Sequence, residues 1–233
     1  MLGDARGAVD DHVLWPVRTN GEEEEEMLNS SEIKTLCEES HRIAEEHGWL
    51  DTPRPFGTIM ALLHSELSEA LEEFRAHRGL AEIYYETTKG ECSEAEAPER
   101  LAQGYKLKPC GIPIELADFL IRIAQEIETA DFTGRFCSLF NGPSGVSVGK
   151  GLYLGQHEFD AGFDADLLPN LHRLVSKAYD EGSFNVIAAA YLHTAFVLTV
   201  LYCDRFEIDI RRALEIKAAY NEKRPYRHGG KAC

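Results

Sequence analysis

No two cysteines of this sequence form a Cys-x-x-Cys pair. The six present, Cys37, Cys92, Cys110, Cys137, Cys203 and Cys233, are scattered along the chain. Disulfide frameworks and zinc sites need tighter spacing, so these read as reduced thiols of a cytoplasmic protein. Positive charge is also short: 24 Lys and Arg face 40 Asp and Glu, a formal net charge of −16. A surface that acidic repels nucleic-acid backbones and argues against any nucleic-acid polymer as partner. A small phosphorylated substrate stays open, because a bound divalent metal reverses the local sign. The N-terminus lacks a basic region followed by an apolar core, so no signal peptide is expected. One long apolar run exists, Val186 to Cys203, but it carries His193 and Thr194 at its centre and has no basic flank. A helix apolar all round is read here as buried in a protein core, not in a membrane.

With 44% hydrophobic residues the chain can bury a sizeable core. Residues 1–29, with the Glu22–Glu26 run, read as a flexible acidic leader, and 30–233 as a single all-α domain. Helices are expected over about Ser31–His47, Gly57–His77, Pro113–Thr129, Asp166–Glu181, Ser183–Phe206 and Asp209–Tyr220. Ser31 is the expected first cap, Gly48 a stop and Pro113 a first-turn proline. Residues 79–113 read as irregular. The glycine-rich stretch 132–165 offers two short strands or hairpin arms. Helices with almost no strand pattern between them predict an all-α helix bundle.

Two helices carry acids where a core-facing stripe should be apolar. In Glu66-Leu67-Ser68-Glu69, Glu66 and the later Glu73 fall inside the arc set by Ile59, Leu62 and Leu63; Glu69 sits at its edge and Glu72 points away. In Glu115-Leu116-Ala117-Asp118 the acids head a narrow polar strip that continues through Arg122, Gln125 and Glu126. Acids on a buried stripe are costly unless paired, protonated or bound to metal. Positions i and i+3 are neighbours on a helix, so two facing pairs can supply four carboxylates to one metal cluster. Hard oxygen ligands favour Mg²⁺, or Mn²⁺ in its place, over zinc. A di-iron bundle would need Glu-x-x-His on two helices, and only Glu38 to His41 has that spacing. His64, two residues before Glu66, completes no such motif and reads as a surface or supporting histidine.

Three stretches together resemble the all-α nucleotide pyrophosphohydrolases, the superfamily of MazG and the dimeric dUTPases. They are Leu62 to Arg75 around the first acidic pair, Lys108 to Asp118 around the second, and the block Lys217-Ala-Ala-Tyr-Asn221-Glu-Lys-Arg224-Pro-Tyr226-Arg-His-Gly-Gly-Lys231. The resemblance implies that Glu66, Glu69, Glu115 and Asp118 are the catalytic residues that hold Mg²⁺, with Glu73 as a fifth candidate. It implies that Lys217, Asn221, Arg224 and Tyr226 bind the substrate, a nucleoside triphosphate cut to monophosphate and pyrophosphate. Trp49 and Phe56 are candidates for stacking on a base, with ordinary packing as the alternative. Apolar helices that look exposed suggest a homodimer or higher homo-oligomer. The long 70–114 linker and the 132–165 insertion depart from the family's compact members. A catalytically inactive helical binding or regulatory module is the rival reading, although such a module would have no need of buried acids.

Leu171-His-Arg-Leu174-Val-Ser-Lys177-Ala178 also resembles Leu63-His-Ser-Glu66-Leu-Ser-Glu69-Ala70. Leu174 and Lys177 then stand in for Glu66 and Glu69, and the helix around Tyr191 to Thr194 for the Glu115 helix. The expectation is an internal pseudo-duplication, one helix pair acidic and one apolar.

Overall fold

The computed structural model describes residues 28–138 and 162–227. Most of the expected acidic leader, the glycine-rich stretch from 139 to 161 and the end of the basic tail lie outside them. The chain is mostly helical, with eight α-helices, a π-helical turn and three short strands among the described residues.

Helix α1 spans Ser30–Glu46. Its cap is Asn29 rather than Ser31: the Asn29 side chain accepts from the Ser31 and Glu32 amides, and Glu32 reaches back to the Asn29 amide at 2.7 Å. This reciprocal box satisfies amides that have no partner within the helix. At the other end Gly48 has φ +75, and the amides of Gly48 and Trp49 bond back to Glu45 and Ala44. That is a left-handed glycine stop. The Tyr226 ring lies over Gly48 and would have to shift for a Cβ there.

Helix α2 spans Phe56–Arg75, and α4 spans Ile112–Thr129 with Pro113 in its first turn. Between them residues 84–110 are not irregular. Strands β1 (Tyr84–Thr87), β2 (Gly90–Ser93) and β3 (Lys108–Cys110) form an antiparallel sheet in the order β2-β1-β3, with helix α3 (Ala97–Ala102) between β2 and β3. Strands this short show no readable alternation, which is why the sequence pattern missed them. The 132–165 stretch instead opens with helix α5 (Thr133–Ser138), and its described far end is the π-helical turn Phe163–Leu167.

That turn leads into α6, Leu168–Asp180. Helix α7, Val186–Arg205, is capped by Asn185, whose side chain accepts from the Ile187 and Ala188 amides. By length and composition α7 could cross a membrane, but 72% of its apolar window is buried inside the bundle. Helix α8 spans Ile210–Glu222 and is capped by Asp209.

Helix α4 is the centre of the fold. It packs against α1, α2, α7 and α8, and from Ile112 to Ile127 every residue but Arg122 is buried. Its apolar circumference is therefore core on nearly all sides. Helices α2 and α6 pack antiparallel: Phe56 lies against Tyr179, His64 against His172 and Phe74 against Phe163. The Nδ1 atoms of His64 and His172 are 2.8 Å apart, so one ring donates and the other accepts. These are the aligned histidines of the suspected repeat. One turn on, Ser68 and Ser176 each donate to the carbonyl of their own histidine at 2.9 Å.

Candidate metal centre

Glu66 is on the inward face of α2 between Leu63 and Leu67, and only 3% of its surface is exposed. Glu69, one turn on, is exposed. Glu115 and Asp118 are buried in the first turns of α4, where the helix N-terminus favours negative charge. Because α2 packs on α4, the two pairs meet. One carboxylate oxygen each from Glu66, Glu69 and Glu115 lies within 4.8 Å of the others. Asp118 is not in that trio but lines the same cavity, and its charge acts on Glu66.

Two basic groups from the chain serve the cluster. Arg122 Nε donates to Glu66 Oε1 at 2.6 Å. Lys217 Nζ, buried on α8, stands 3.1 Å from Asp118 Oδ2 and 3.8 Å from Glu115 Oε2. Asn221 Nδ2 donates to Asp118 Oδ1 at 3.4 Å. Burial, then the Asp118 charge, raises the Glu66 carboxyl, with Arg122 opposing. Burial also acts to raise Asp118, but the Lys217 and Arg122 charges overcome it and hold that carboxyl below its usual range. Burial pushes Glu115 up to about 7 against the pull of Lys217. The four acids still outnumber the two basic groups paired with them.

Among the described residues at the cluster, the buried Glu115 Oε2 and Asn221 Oδ1 accept no hydrogen bond, although Lys217 Nζ stands 3.8 Å from the former. An unpaired buried acceptor costs about 1–3 kcal/mol, more for a charged group. Both orphans sit at the cluster, as the donor set of a hard cation would.

The cluster opens on a cavity of about 520 Å³. Lys217 and Asn221, one turn apart on α8, lie on its wall, as does Arg224, two residues past the helix end. Helix α1 contributes an apolar wall with Leu36, Ile43 and Ala44, and Trp49 lies beside it. Comparison with protein-family models, with curated proteins and with solved structures finds no match. The reading of the site therefore stands on its own geometry.

Three of the expected site residues sit elsewhere. Glu73 is half-buried on α2 outside the carboxylate trio, and accepts from the Tyr84 hydroxyl at 3.1 Å. Tyr226 follows the end of α8, packs over Gly48 and bonds Asp51, and is not on the cavity wall. Phe56 packs with Tyr179 and Phe184, also off that wall.

The cavity also has polar residues to which the sequence reading gave no role. Arg122 belongs to the α4 polar strip, one turn beyond Asp118, and that was its signal. Arg54 lies in a loop with no pattern to announce it. Its guanidinium bonds the buried Glu126 at 2.6 Å, and Gln125 donates to the same carboxylate at 3.0 Å. Lys108 reaches the wall from β3, a strand the sequence did not reveal.

Proposed function

We propose that this protein is a Mg²⁺-dependent nucleoside triphosphate pyrophosphohydrolase. The observation that carries the reading is the Glu66, Glu69 and Glu115 trio on a cavity that Lys217 and Asn221 of α8 and the following Arg224 also line. All-oxygen donors suit Mg²⁺, with Mn²⁺ as a substitute. Glu66, Glu69 and Glu115 would hold the metal, with Asp118 beside them. When bound, Mg²⁺ neutralises phosphate charge and makes water a better nucleophile.

The remaining roles belong to the chain. Lys217, Asn221 and Arg224 orient the phosphates, and Asp118 aims Lys217 by the 3.1 Å contact. Trp49 and the α1 wall take the apolar base and shield the site from bulk water. Water adds to the α-phosphorus, the bond to the bridging oxygen breaks, and pyrophosphate leaves with that oxygen. Such chemistry needs mainly positioning and charge stabilisation, which the basic face of α8 offers.

A cytoplasmic setting belongs to the same reading and is supported by five buried free cysteines. Homo-oligomerisation is supported by Tyr179, Val186 and Ile187, each at least half exposed. The deciding experiment measures pyrophosphate release from a nucleotide panel with Mg²⁺. We expect turnover of at least one triphosphate and its loss on chelation. A folded protein that binds Mg²⁺ and turns over none leaves the non-catalytic module as the better account.

A further inference from the structure

The linker between α2 and α4 is longer than a helical hairpin needs, and its sheet brings one chemical group to the site. Lys108 stands directly opposite Glu86 in the antiparallel register of β1 and β3, and the pair is joined at 3.0 Å. Lys108 lines the cavity with the carboxylates; Glu86 does not. We propose that Lys108 is a substrate-binding residue that leaves Glu86 for the terminal phosphates of the bound nucleotide. This deepens the pyrophosphohydrolase reading and rests on it.

The backbone around Lys108 is fixed. Gly111 joins β3 to α4 at φ +115, and a Cβ there would strike the Glu82 carbonyl. Only glycine allows so close an approach in that conformation. Strand β3 packs against α4 and α8, and the Tyr84 hydroxyl of β1 donates to Glu73 of α2. These contacts hold the Lys108 main chain seven positions before Glu115. The side chain is another matter. Lys108 and Glu86 are each about half exposed, 54% and 48%, and exposed ion pairs are weakly held. A triphosphate beside the metal trio offers several negative charges in a less watery place, where attraction is stronger. Lysine suits the exchange, with a flexible stem and three donors. Lys217 reaches the phosphates from the α8 side, and Lys108 lines the cavity from β3 with its own partner Glu86 off the wall.

The test compares Lys108→Met, Lys108→Arg and Glu86→Gln, reading KM and kcat for a hydrolysed triphosphate and inhibition by pyrophosphate. Lys108→Met should raise KM and weaken pyrophosphate inhibition by about 10-fold or more, the worth of a hydrogen bond to a charged group. Monophosphate inhibition should not move, and Lys108→Arg should recover most of the loss. Glu86→Gln breaks the same ion pair but frees the cation, so its KM should equal or fall below wild type. Unchanged KM in Lys108→Met, or an equal rise in Glu86→Gln, overturns the proposal; the second result would make the pair structural. A wild-type protein that hydrolyses nothing overturns the functional reading instead. Calorimetric titration of wild type and Lys108→Met with Mg²⁺-pyrophosphate then decides the role of Lys108 alone.

Discussion

Residues 63–70 on α2 and 171–178 on α6 repeat, position by position, the same order of buried, half-buried and exposed side chains. What they bury differs. Where α2 buries Glu66, α6 buries Leu174; where α2 exposes Glu69, α6 exposes Lys177. The second helices differ likewise. In α7 the buried hydroxyls of Thr194 and Thr199 each donate to a carbonyl one turn back, at 2.9 Å. Helix α4 buries Glu115 with an oxygen that accepts no hydrogen bond and has the Lys217 ammonium group 3.8 Å away. The α6/α7 hairpin shows that this packing is attainable with leucine and self-satisfied threonine. The acids of α2 and α4 are therefore no demand of the fold, and their desolvation is offset here by Arg122 and Lys217.

The comparison breaks first at the paired positions Glu66 and Leu174. Glu66→Gln should cut pyrophosphate release by about 100-fold or more, since even groups supporting metal ligands are worth 10- to 100-fold. Leu174→Ala should cost about 2–5 kcal/mol in denaturant unfolding and leave kcat intact. Equal kinetic effects at both positions would mean the acidic hairpin is no more functional than the apolar one.

Glu115 sharpens the contrast through pH. Its carboxyl lies near 7 when folded, above its ordinary 4.5. Between those values the folded state binds the extra proton, so this group lowers stability as pH rises and does so fully above 7. Glu115→Gln should then raise unfolding free energy at pH 8 by roughly 3 kcal/mol, and hardly at all at pH 4. A flat difference across that range would sink the account of Glu115. Added Mg²⁺ should act the same way on the wild type. At 100 times its Kd it should stabilise by about 2.7 kcal/mol. Below pH 7 it should also release protons, seen as a buffer-dependent binding enthalpy. The smallest effect separates Glu69 from Lys177. Both are exposed, so changing either to Gln should move stability by less than about 0.5 kcal/mol, yet only Glu69→Gln should weaken Mg²⁺ binding.

Much of the acidic hairpin was legible because helical spacing is a local rule. Glu66 fell inside an apolar arc, and Glu115 and Asp118 headed a polar strip; Lys217, Asn221 and Arg224 were named by the family resemblance and not by spacing. What local rules could not give was tertiary. The sheet escaped because its strands have three or four residues. Lys108 and Arg54 owe their places to that sheet and to a loop. Tyr226 was grouped with Lys217 by adjacency in sequence, but α8 ends at Glu222 and the chain then turns back over Gly48. Glu73 shares the inward arc of Glu66, but lies two turns further on, where Tyr84 of the sheet meets it instead.

Lys217 gives the protein a placeholder. With its ammonium group between Asp118 and Glu115, the site has a tenant of its own whenever no ion is there, so the walls have no reason to spring apart or collapse. In the proposed function, a divalent ion held by Glu66, Glu69 and Glu115 would draw Glu115 away from Lys217 and leave the ammonium group to Asp118, which would aim it at the phosphates.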